Sequence, residues 1–258
     1  MKVSFVIPAY NEEALIGACL KSVLTEIERI KCEAEVIVVN NASKDATKKI
    51  ALSFFNVTVV DEPIKGLVQA RRRGFLVSKG ELIANIDADT VLPEGWLDTV
   101  LSAFSSSSKL VALSGPYIYY DVSAHTRILT STFYRVSYLF YILNKCVLRV
   151  GSMLQGGNFV VRRSAMNKIG GYNLDFSFYG EDTDLARRLN KVGDVKFSFD
   201  LPAYSSGRRF KGEGIFLVGW RYSINFLWAT FMKRPFTVDS ADFRDECLEN
   251  RLPENAAK

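Results

Sequence analysis

Short apolar runs alternate with longer stretches of helical periodicity over the first third of the chain. This alternation predicts parallel strands joined by crossover helices. Between the first two strands, large apolar residues recur at steps of three and four positions, which predicts a helix with Asn11 as its N-cap. The predicted strands are Val3 to Ile7, Glu35 to Val39, Val57 to Val60 and Glu81 to Ile86.

Cap and turn residues predict the elements that follow. Ser43 is placed to cap a second helix, Gly66 begins a third, and Pro93 precedes a fourth. The expected bounds are about 43–54, 66–78 and 93–104 for these helices, with a strand at about 110–119. The predicted fold class is therefore α/β, with an open mixed sheet whose parallel half binds a nucleotide and is flanked by helices.

The second half of the chain predicts amphipathic helices. A helix from about Thr126 to Val150 and an aromatic-rich helix from Gly214 to about Met232 are expected, with a short strand at 158–161 and a short helix at 181–191 between them. Packing in the core or in a homodimer is the favoured interpretation of both apolar faces, and a membrane surface is the alternative. The apolar face of the first helix is predicted to carry Phe133, Val136, Phe140, Leu143, Val147 and Val150.

Length, composition and charge indicate how the chain is organised into domains and which partners it favours. The 258 residues, 48% of them hydrophobic, are expected to form one domain over residues 1–235 followed by a polar tail at 236–258. Within the domain, residues 1–104 are the predicted donor half and residues 105–235 the acceptor half. The net charge of +5 favours anionic partners. The N-terminal apolar run ends at Pro8, too early for a signal peptide, so a cytoplasmic protein is expected.

The scarcity of histidine and the spacing of cysteine exclude several chemistries. His125 is the only histidine, so a Ser-His triad would have to use this residue and a metal cluster of several imidazoles cannot form. A surface position is expected for His125. The four cysteines are scattered, which indicates free thiols and no structural zinc. Any catalysis is therefore expected to depend on carboxylates.

Two aspartates, Asp87 and Asp89, follow directly on an apolar strand. Carboxylates that emerge at a strand end can face one divalent cation and the nucleotide it accompanies. For an isolated Asp-x-Asp, a solvated turn that caps the next helix is the favoured explanation. The interpretation therefore depends on the motifs that accompany it.

Five motifs occur in one order along the chain: Val6-Ile7-Pro8-Ala9-Tyr10-Asn11-Glu12, Val38-Val39-Asn40-Asn41-Ala42-Ser43, Gly66 with Ala70-Arg71 and Gly74, Asp87-Ala88-Asp89, and Gly180-Glu181-Asp182. Together they resemble the inverting family 2 glycosyltransferases over residues 2 to 192. The resemblance implies a GT-A-like fold and sugar transfer from a nucleotide diphosphate, with Mg²⁺ or Mn²⁺, in polysaccharide, glycolipid or cell-envelope synthesis. The implied nucleotide-sugar-binding residues are Pro8, Tyr10, Glu12, Asn41, Arg71, Asp87, Ala88 and Asp89.

The resemblance also implies individual roles. Asp89 would be the metal ligand, Asp182 the catalytic base and Glu181 a helper that orients the acceptor or the backbone. Many relatives carry paired aspartates where this chain has Asn40 and Asn41, so a UDP-sugar is favoured while the nucleobase stays open. The acceptor is an unknown hydroxyl.

Three further segments are weaker candidates. Arg208 and Arg209 lie in a glycine-bounded basic loop that could close over a diphosphate, although an ordinary surface loop explains it as well. Gly156, Gly157 and Asn158 permit close backbone approach near the acceptor, or simply form a turn. The run Arg71 to Arg73 is distributed around a helix, so no nucleic-acid partner is expected.

Two other function classes remain alternatives. A noncatalytic nucleotide-sugar-binding or scaffolding protein could retain the same fold and motifs. A sugar nucleotidyltransferase would share the nucleotide half, but no glycine-rich loop with a basic residue follows the first strand to hold a triphosphate.

Overall fold

The computed structural model describes residues 1–143 and 153–237. A large sheet with helices on both faces and a small second sheet make up the fold. Its elements in chain order are β1 (Val3–Ala9), α1 (Ile16–Ile30), β2 (Ala34–Asn40), α2 (Thr47–Leu52), β3 (Val57–Asp61), α3 (Leu67–Val77), β4 (Leu82–Ile86), β5 (Thr90–Val91), α4 (Trp96–Ser106), β6 (Leu110–Ser114), β7 (Tyr117–Tyr119), α5 (Ala124–Leu143), β8 (Asn158–Arg162), α6 (Arg163–Lys168), α7 (Glu181–Leu189), β9 (Asp194–Phe197), β10 (Ala203–Ser205), α8 (Arg208–Glu213) and α9 (Ile215–Met232).

The large sheet has seven strands in the order β3-β2-β1-β4-β8-β6-β9. Strands β1 to β4 are mutually parallel, whereas β8 is antiparallel to both of its neighbours, β4 and β6. The small sheet has the order β5-β10-β7. The predicted α/β class, an open mixed sheet whose parallel part is flanked by helices, is confirmed. Strand β8 comes from the predicted acceptor half and pairs with β4, the last strand that the donor half contributes to the large sheet.

Two apolar clusters cover the faces of the large sheet. Alternation along β1 sends Phe5 and Ile7 to one cluster, with α1 and α4, and Val6 to the other, with α3, α6 and α7. Gly74 of α3 permits close packing, because a Cβ there would lie 2.2 Å from Val6 Cγ1. Both faces are covered, as near-continuous apolar strands require.

The first two helices begin later than their capping residues predicted. Asn11 has a φ of 49° and does not cap α1, which starts at Ile16. Its backbone N–H donates to Ser43 Oγ at 3.2 Å, and the N–H of Glu12 donates to Thr47 Oγ1 at 2.7 Å. The two loops bind each other, so tertiary hydrogen bonds replace the local caps and α2 starts only at Thr47.

The single strand predicted at 110–119 is divided between the two sheets. β6 ends at Ser114 and β7 starts at Tyr117, with Gly115 and Pro116 between them. A Cβ on Gly115 would lie 1.8 Å from the Leu201 carbonyl oxygen, so the chain can cross there only as glycine. Proline offers no N–H to continue the ladder.

The apolar face predicted for α5 is wrong in the part that can be checked. Phe133 and Val136 are exposed, whereas Tyr134 and Tyr141 are buried. The tyrosines face inward because their hydroxyl groups find partners there: Tyr134 donates to Gln155 Oε1 at 2.8 Å and Tyr141 to the Val195 carbonyl at 2.9 Å. The remaining predicted positions, 140, 143, 147 and 150, fall outside the described side chains.

The last part of the described chain returns onto α9. The backbone N–H groups of Phe236 and Thr237 both donate to Asn225 Oδ1, at 3.2 and 3.0 Å. The rest of the predicted polar tail lies outside the described residues. Within residues 1–143 and 153–237, none of the helices has the length and apolar character that crossing a membrane demands.

Candidate active site

The predicted site residues gather where β1 and β4 end. These strands are parallel neighbours, so the segments that follow them leave the sheet at the same edge. Asp87 and Asp89 follow β4, and the loop after β1 brings Glu12 to the same region through Arg208. The carboxyl edge of an open parallel sheet is where such folds bind ligands.

The carboxylate of Asp87 is held from three sides. Arg71 Nη2 lies 3.0 Å from Asp87 Oδ1, and the Tyr117 hydroxyl lies 3.2 Å from Oδ2. Gly157 faces the same carboxylate: a Cβ there would lie 2.0 Å from Asp87 Oδ2, and the φ of Gly157 is +83°. The Asp87 N–H also donates to the Gly157 carbonyl at 3.2 Å. The glycine is therefore required for the carboxylate to occupy this position.

Arg71 joins the end of β4 to the start of α7. It is only 1% exposed and contacts both Asp87 and Glu181. A buried guanidinium needs such partners, and the two carboxylates compensate its charge. The structure shows that Arg71 holds two acidic side chains of the predicted site, and its approach to the nucleotide stays a prediction.

Glu181 and Asp182 open α7 behind Gly180, which has a φ of +78°. Burial raises the pKa of Glu181 to about 7, against the opposing charge of Arg71. Burial also raises the pKa of Asp182, while the N–H groups of Thr183 (2.7 Å) and Gly156 (3.3 Å) donate to its carboxylate and favour the charged form. Asp182 keeps partial exposure, whereas Glu181 is buried. Of the two carboxylates, that of Asp182 is the more accessible.

Arg208, from the predicted lid, lies inside the site. Its guanidinium binds Glu12 through Nη1, 2.8 Å from Oε2, and lies 3.0 Å from Asp89 Oδ2. The predicted loop is a short helix, α8, that begins at this residue. Arg209 points elsewhere, donating to the Tyr179 hydroxyl at 2.8 Å and covering the Phe178 ring. The structure therefore separates two arginines that the sequence treated alike.

The predicted nucleobase pocket is shaped by Asn41. Its amide nitrogen donates to the carbonyls of Glu62 and Ile64, at 3.0 and 2.7 Å, and its Oδ1 accepts from the N–H of Gly66 at 2.7 Å. With its amide used in this way, Asn41 fixes the loop before α3. Lys65 in that loop places its ammonium 3.9 Å from the centre of the Tyr10 ring.

Asn158 has a structural position. It is fully buried, and its amide nitrogen donates to the carbonyls of Gly115 and Leu201, at 3.1 and 2.9 Å. Its Oδ1 accepts from Trp96 Nε1 at 3.0 Å. The close backbone approach to an acceptor predicted for residues 156–158 stays a prediction. Gly156 and Gly157 border the acidic side chains of the site: Gly157 faces Asp87, and the Gly156 N–H donates to Asp182.

The acidic side chains of this edge suit a hard divalent cation. Within the described residues, no three His, Cys, Asp or Glu side chains form a ready-made metal cage. Mg²⁺ in enzymes is commonly bound by one or two carboxylates together with the phosphates of a substrate. The guanidinium between Glu12 and Asp89 shows that these carboxylates accommodate positive charge. Asp89 therefore fits as a protein ligand for a cation that arrives with a diphosphate.

Sequence reasoning missed three residues that shape the site. Tyr117 lies 2.9 Å from the Gly156 carbonyl oxygen as well as beside Asp87, Lys65 covers Tyr10, and Trp96 anchors Asn158. Only Lys65 carries a sequence signal, as a basic residue directly before the motif glycine at 66. The tyrosine and the tryptophan resemble ordinary core aromatics along the chain.

Comparison with known proteins identifies the family of this chain. Residues 4–170 match the family model described as glycosyl transferase family 2, which is more than half of the chain. The chain belongs to this family. Residues 144–204 also match the model described as the N-terminal domain of galactosyltransferase. The predicted family and the predicted enzyme class, a glycosyltransferase, are confirmed.

Relatives and solved structures agree with the family. The probable glycosyltransferase YdaM of Bacillus subtilis is 29% identical over 207 residues, which are 74% of this chain and 47% of that protein. The mannosyltransferase PcManGT of Pyrobaculum calidifontis, solved with GDP-Man and Mn²⁺, aligns with a TM-score of 0.64 at 20% identity over 90% of this chain and 63% of that one. Glucosyl-3-phosphoglycerate synthase of Mycobacterium tuberculosis, solved with Mn²⁺ and UDP-glucose, aligns with a TM-score of 0.61 at 20% identity over 92% of this chain and 80% of that one.

The solved structures establish the fold alone, and the curated relative YdaM is longer than this chain. The two solved structures show that the family 2 chain has a GT-A-like fold. The chain spans about half the length of the curated relative it matches.

Proposed function

We propose that this family 2 glycosyltransferase is an inverting, metal-dependent enzyme that transfers a sugar from a nucleotide diphosphate to a hydroxyl acceptor. One observation carries the proposal: Arg71 contacts both Asp87, at the predicted donor end, and Glu181, next to the predicted base. Because Arg71 holds the carboxylate of Asp87 close to the region of the proposed base, the donor side and the base can face opposite sides of one sugar ring. The proposal includes a role in polysaccharide, glycolipid or cell-envelope synthesis.

Asp182 is the proposed base. The acceptor oxygen forms a bond to the anomeric carbon as the bond from that carbon to the diphosphate breaks. The hydroxyl proton passes to Asp182, and the nucleoside diphosphate leaves with the bonding electrons, so attack from the opposite face inverts the configuration. The partial exposure of Asp182 lets it reach a hydroxyl, and the N–H donors of Gly156 and Thr183 fix its carboxylate.

Glu181 is proposed to position this base. Its Oε2 is buried without a hydrogen-bond partner among the described residues, and its other oxygen contacts Arg71. With a pKa of about 7, Glu181 is only partly ionised at neutral pH, which limits repulsion between two adjacent carboxylates. Asp182 can then stay ionised and available to accept a proton.

The donor side is proposed to combine Asp89, Asp87 and Tyr10. A divalent cation, when bound by Asp89, supplies positive charge against the departing diphosphate. Two of the solved structures named above contain a nucleotide sugar with Mn²⁺, one with GDP-Man and one with UDP-glucose. A UDP-sugar stays the favoured donor. The side-chain amide of Asn41 is hydrogen-bonded to its own loop, so we propose that other groups select the nucleobase.

Substitution of the proposed base tests the reaction. Asp182→Asn keeps the size of the side chain but removes its capacity to accept a proton, so transfer should fall on the order of a hundredfold or more. Binding of UDP, GDP, dTDP or CDP with Mn²⁺, measured by calorimetry, should stay near the wild-type value. Release of nucleoside diphosphate from the matching nucleotide sugar, with lipid phosphates and oligosaccharides as acceptors, reports turnover.

The matched control is Asp175→Asn, which makes the same chemical change at an exposed position. Unchanged turnover in Asp182→Asn would remove this residue from the role of base. If the wild type binds nucleotide and metal but transfers to none of the acceptors, the noncatalytic scaffold gains support. Release of pyrophosphate from a triphosphate and a sugar phosphate would indicate a nucleotidyltransferase instead.

A further inference from the structure

Helix α9 exposes a line of large apolar side chains. Phe216 is 85% exposed, Trp220 68%, Leu227 54% and Phe231 57%. Their spacing of four, seven and four residues places them along one side of the helix. Single exposed apolar residues are normal on proteins, but an aligned row that includes a tryptophan and two phenylalanines marks an interaction surface.

The charges on and around α9 are basic. Its only charged residue, Arg221, binds Glu213 at 2.6 Å. At its C-terminal end Lys233 and Arg234 are exposed, and Lys211 is exposed before its start. Glu213 already has arginine partners, and Lys211 lies 3.5 Å from Asp121 Oδ2. Among the described residues, the exposed basic charge that remains at α9 is therefore at its C-terminal end, on Lys233 and Arg234.

Helix α5, like α9, combines exposed apolar side chains with basic residues. Ile128 and Leu139 are 67% and 69% exposed, and Arg127 and Arg135 are exposed on the same helix. Neither α5 nor α9 contains a single aspartate or glutamate, although the chain has 28 acidic residues. The exclusion of acidic residues from the two helices with exposed apolar rows indicates a partner that is apolar and negatively charged.

An anionic bilayer surface matches these properties. Helices that lie in a membrane interface insert aromatic and aliphatic side chains and keep lysine and arginine near the lipid phosphates. A second copy of the chain matches them less well. A two-fold interface apposes the same surface of both subunits, so the basic groups at the C-terminal end of α9 would meet a helix that carries no acidic residue.

Helix α9 also lies directly beside the proposed base. A Cβ on Gly180, the residue before Glu181, would come 2.9 Å from Ala229 Cβ, so α9 touches the start of α7. The ring of Tyr222 packs edge-on against Tyr179 at 5.7 Å between centroids. A bilayer that contacted the outer side of α9 would therefore be one helix away from the catalytic carboxylates.

We propose that the surface formed by Phe216, Trp220, Leu227 and Phe231 docks on an anionic lipid bilayer, with Lys233 and Arg234 facing lipid phosphates. This docking does not depend on the transfer reaction. Resting on the proposed function, a further consequence is that the acceptor hydroxyl or phosphate is carried by a lipid in that bilayer. No membrane-spanning segment is needed for such contact.

Flotation with vesicles tests the docking. Purified protein is mixed at low salt with vesicles of phosphatidylcholine and phosphatidylglycerol (about 3:1) or of phosphatidylcholine alone and centrifuged through a sucrose gradient. The wild type should float with the anionic vesicles, and raising the salt should weaken the binding. The double variant Phe216→Ser with Trp220→Ser should lower the bound fraction roughly tenfold. Both side chains are exposed, so the variant is expected to fold.

Phe55→Ser is the matched control, since Phe55 is 99% exposed but lies beyond α2. It should float as the wild type does. Failure of the wild type to bind anionic vesicles, or equal flotation of the double variant, would overturn the proposal. A dimer in sedimentation that the double variant converts to a monomer, without vesicle binding, would assign the surface to a second copy and equally overturn it. Asp182→Asn should float normally, which separates docking from catalysis.

Discussion

At the scale of single residues, Gly157 shows how a side chain that is absent can define a site. Its Cα faces the Asp87 carboxylate so closely that a Cβ would displace it, and the Tyr117 hydroxyl would lie 2.3 Å from the same Cβ. Rotation of Asp87 away from that Cβ would break its contacts with Arg71 and Tyr117. The geometry of the proposed donor end therefore depends on this glycine.

We predict that Gly157→Ala weakens nucleotide binding while the protein still folds. The displaced Asp87 carboxylate should lower the affinity for nucleoside diphosphate with Mn²⁺ at least tenfold in calorimetry, equivalent to about 1.4 kcal/mol. Gly170→Ala is the matched control, because Gly170 also has a positive φ of 76° but has nothing within 4 Å of its Cβ position. It should lose only about 1 kcal/mol of unfolding free energy. Equal nucleotide affinities in the two variants would contradict the prediction.

Sequence motifs identified the residues of the site but not all of their contacts. Asp87, Asp89 and Glu181 could be brought together by reasoning, since strand ends and helix starts meet at one edge of the sheet. The partners of Arg71 and Asn41 could not, because their bonds join residues that lie far apart in the chain. Arg71 is 110 positions from Glu181, and no local pattern encodes that contact.

At the scale of secondary structure, periodicity located the helices better than it oriented them. The predicted apolar face of α5 favoured Phe133 and Val136, yet the buried face carries tyrosines whose hydroxyl groups have hydrogen-bond acceptors inside. Tyrosine scores as weakly polar in a pattern, although its ring is a large apolar surface. The aliphatic face then stays exposed, which is the reverse of the simple expectation for a core helix.

Arg208, the first residue of helix α8, is predicted to affect the binding of both metal and nucleotide at the proposed donor site. Arg208 lies between Glu12 and Asp89, so its removal takes one positive charge away from two carboxylates. In Arg208→Ala, the affinity for Mn²⁺ alone should rise a few-fold, since added positive charge is then more favourable. The affinity for nucleoside diphosphate in saturating Mn²⁺ should fall roughly tenfold, because a charge-assisted contact to the phosphates is lost.

The control for that experiment is Arg72→Ala, which removes one charge from an exposed position on α3. Both affinities should then match the wild type. If Arg208→Ala lowers metal affinity and nucleotide affinity in parallel, the arginine supports the fold of the site rather than competing with the cation. Calorimetric titration of each ligand separately provides the two values.

At the scale of the whole molecule, strand β8 joins the two halves that the sequence suggested. It pairs with β4 from residues 1–104 on one side and with β6 on the other. Asn158, at its first position, adds bonds to the loops at Gly115 and Leu201 and to Trp96. The donor half by itself would end at β4 with an unpaired strand edge, which is a poor boundary for an independent unit.

We predict that both halves unfold in one cooperative transition and that Asn158→Ala weakens both together. The substitution leaves two carbonyl oxygens and the Trp96 N–H buried without their partner, and each such group costs about 1 to 3 kcal/mol, so the unfolding free energy should fall by about 3 kcal/mol or more. Urea unfolding followed by tryptophan fluorescence and by far-UV circular dichroism should give coincident curves before and after the change. Asn56→Ala, at an exposed position, should move neither curve by more than about 0.5 kcal/mol. Two separate transitions in the wild type, or a shift of one signal alone in Asn158→Ala, would show that the halves are independent and that the hydrogen bonds of Asn158 do not couple them.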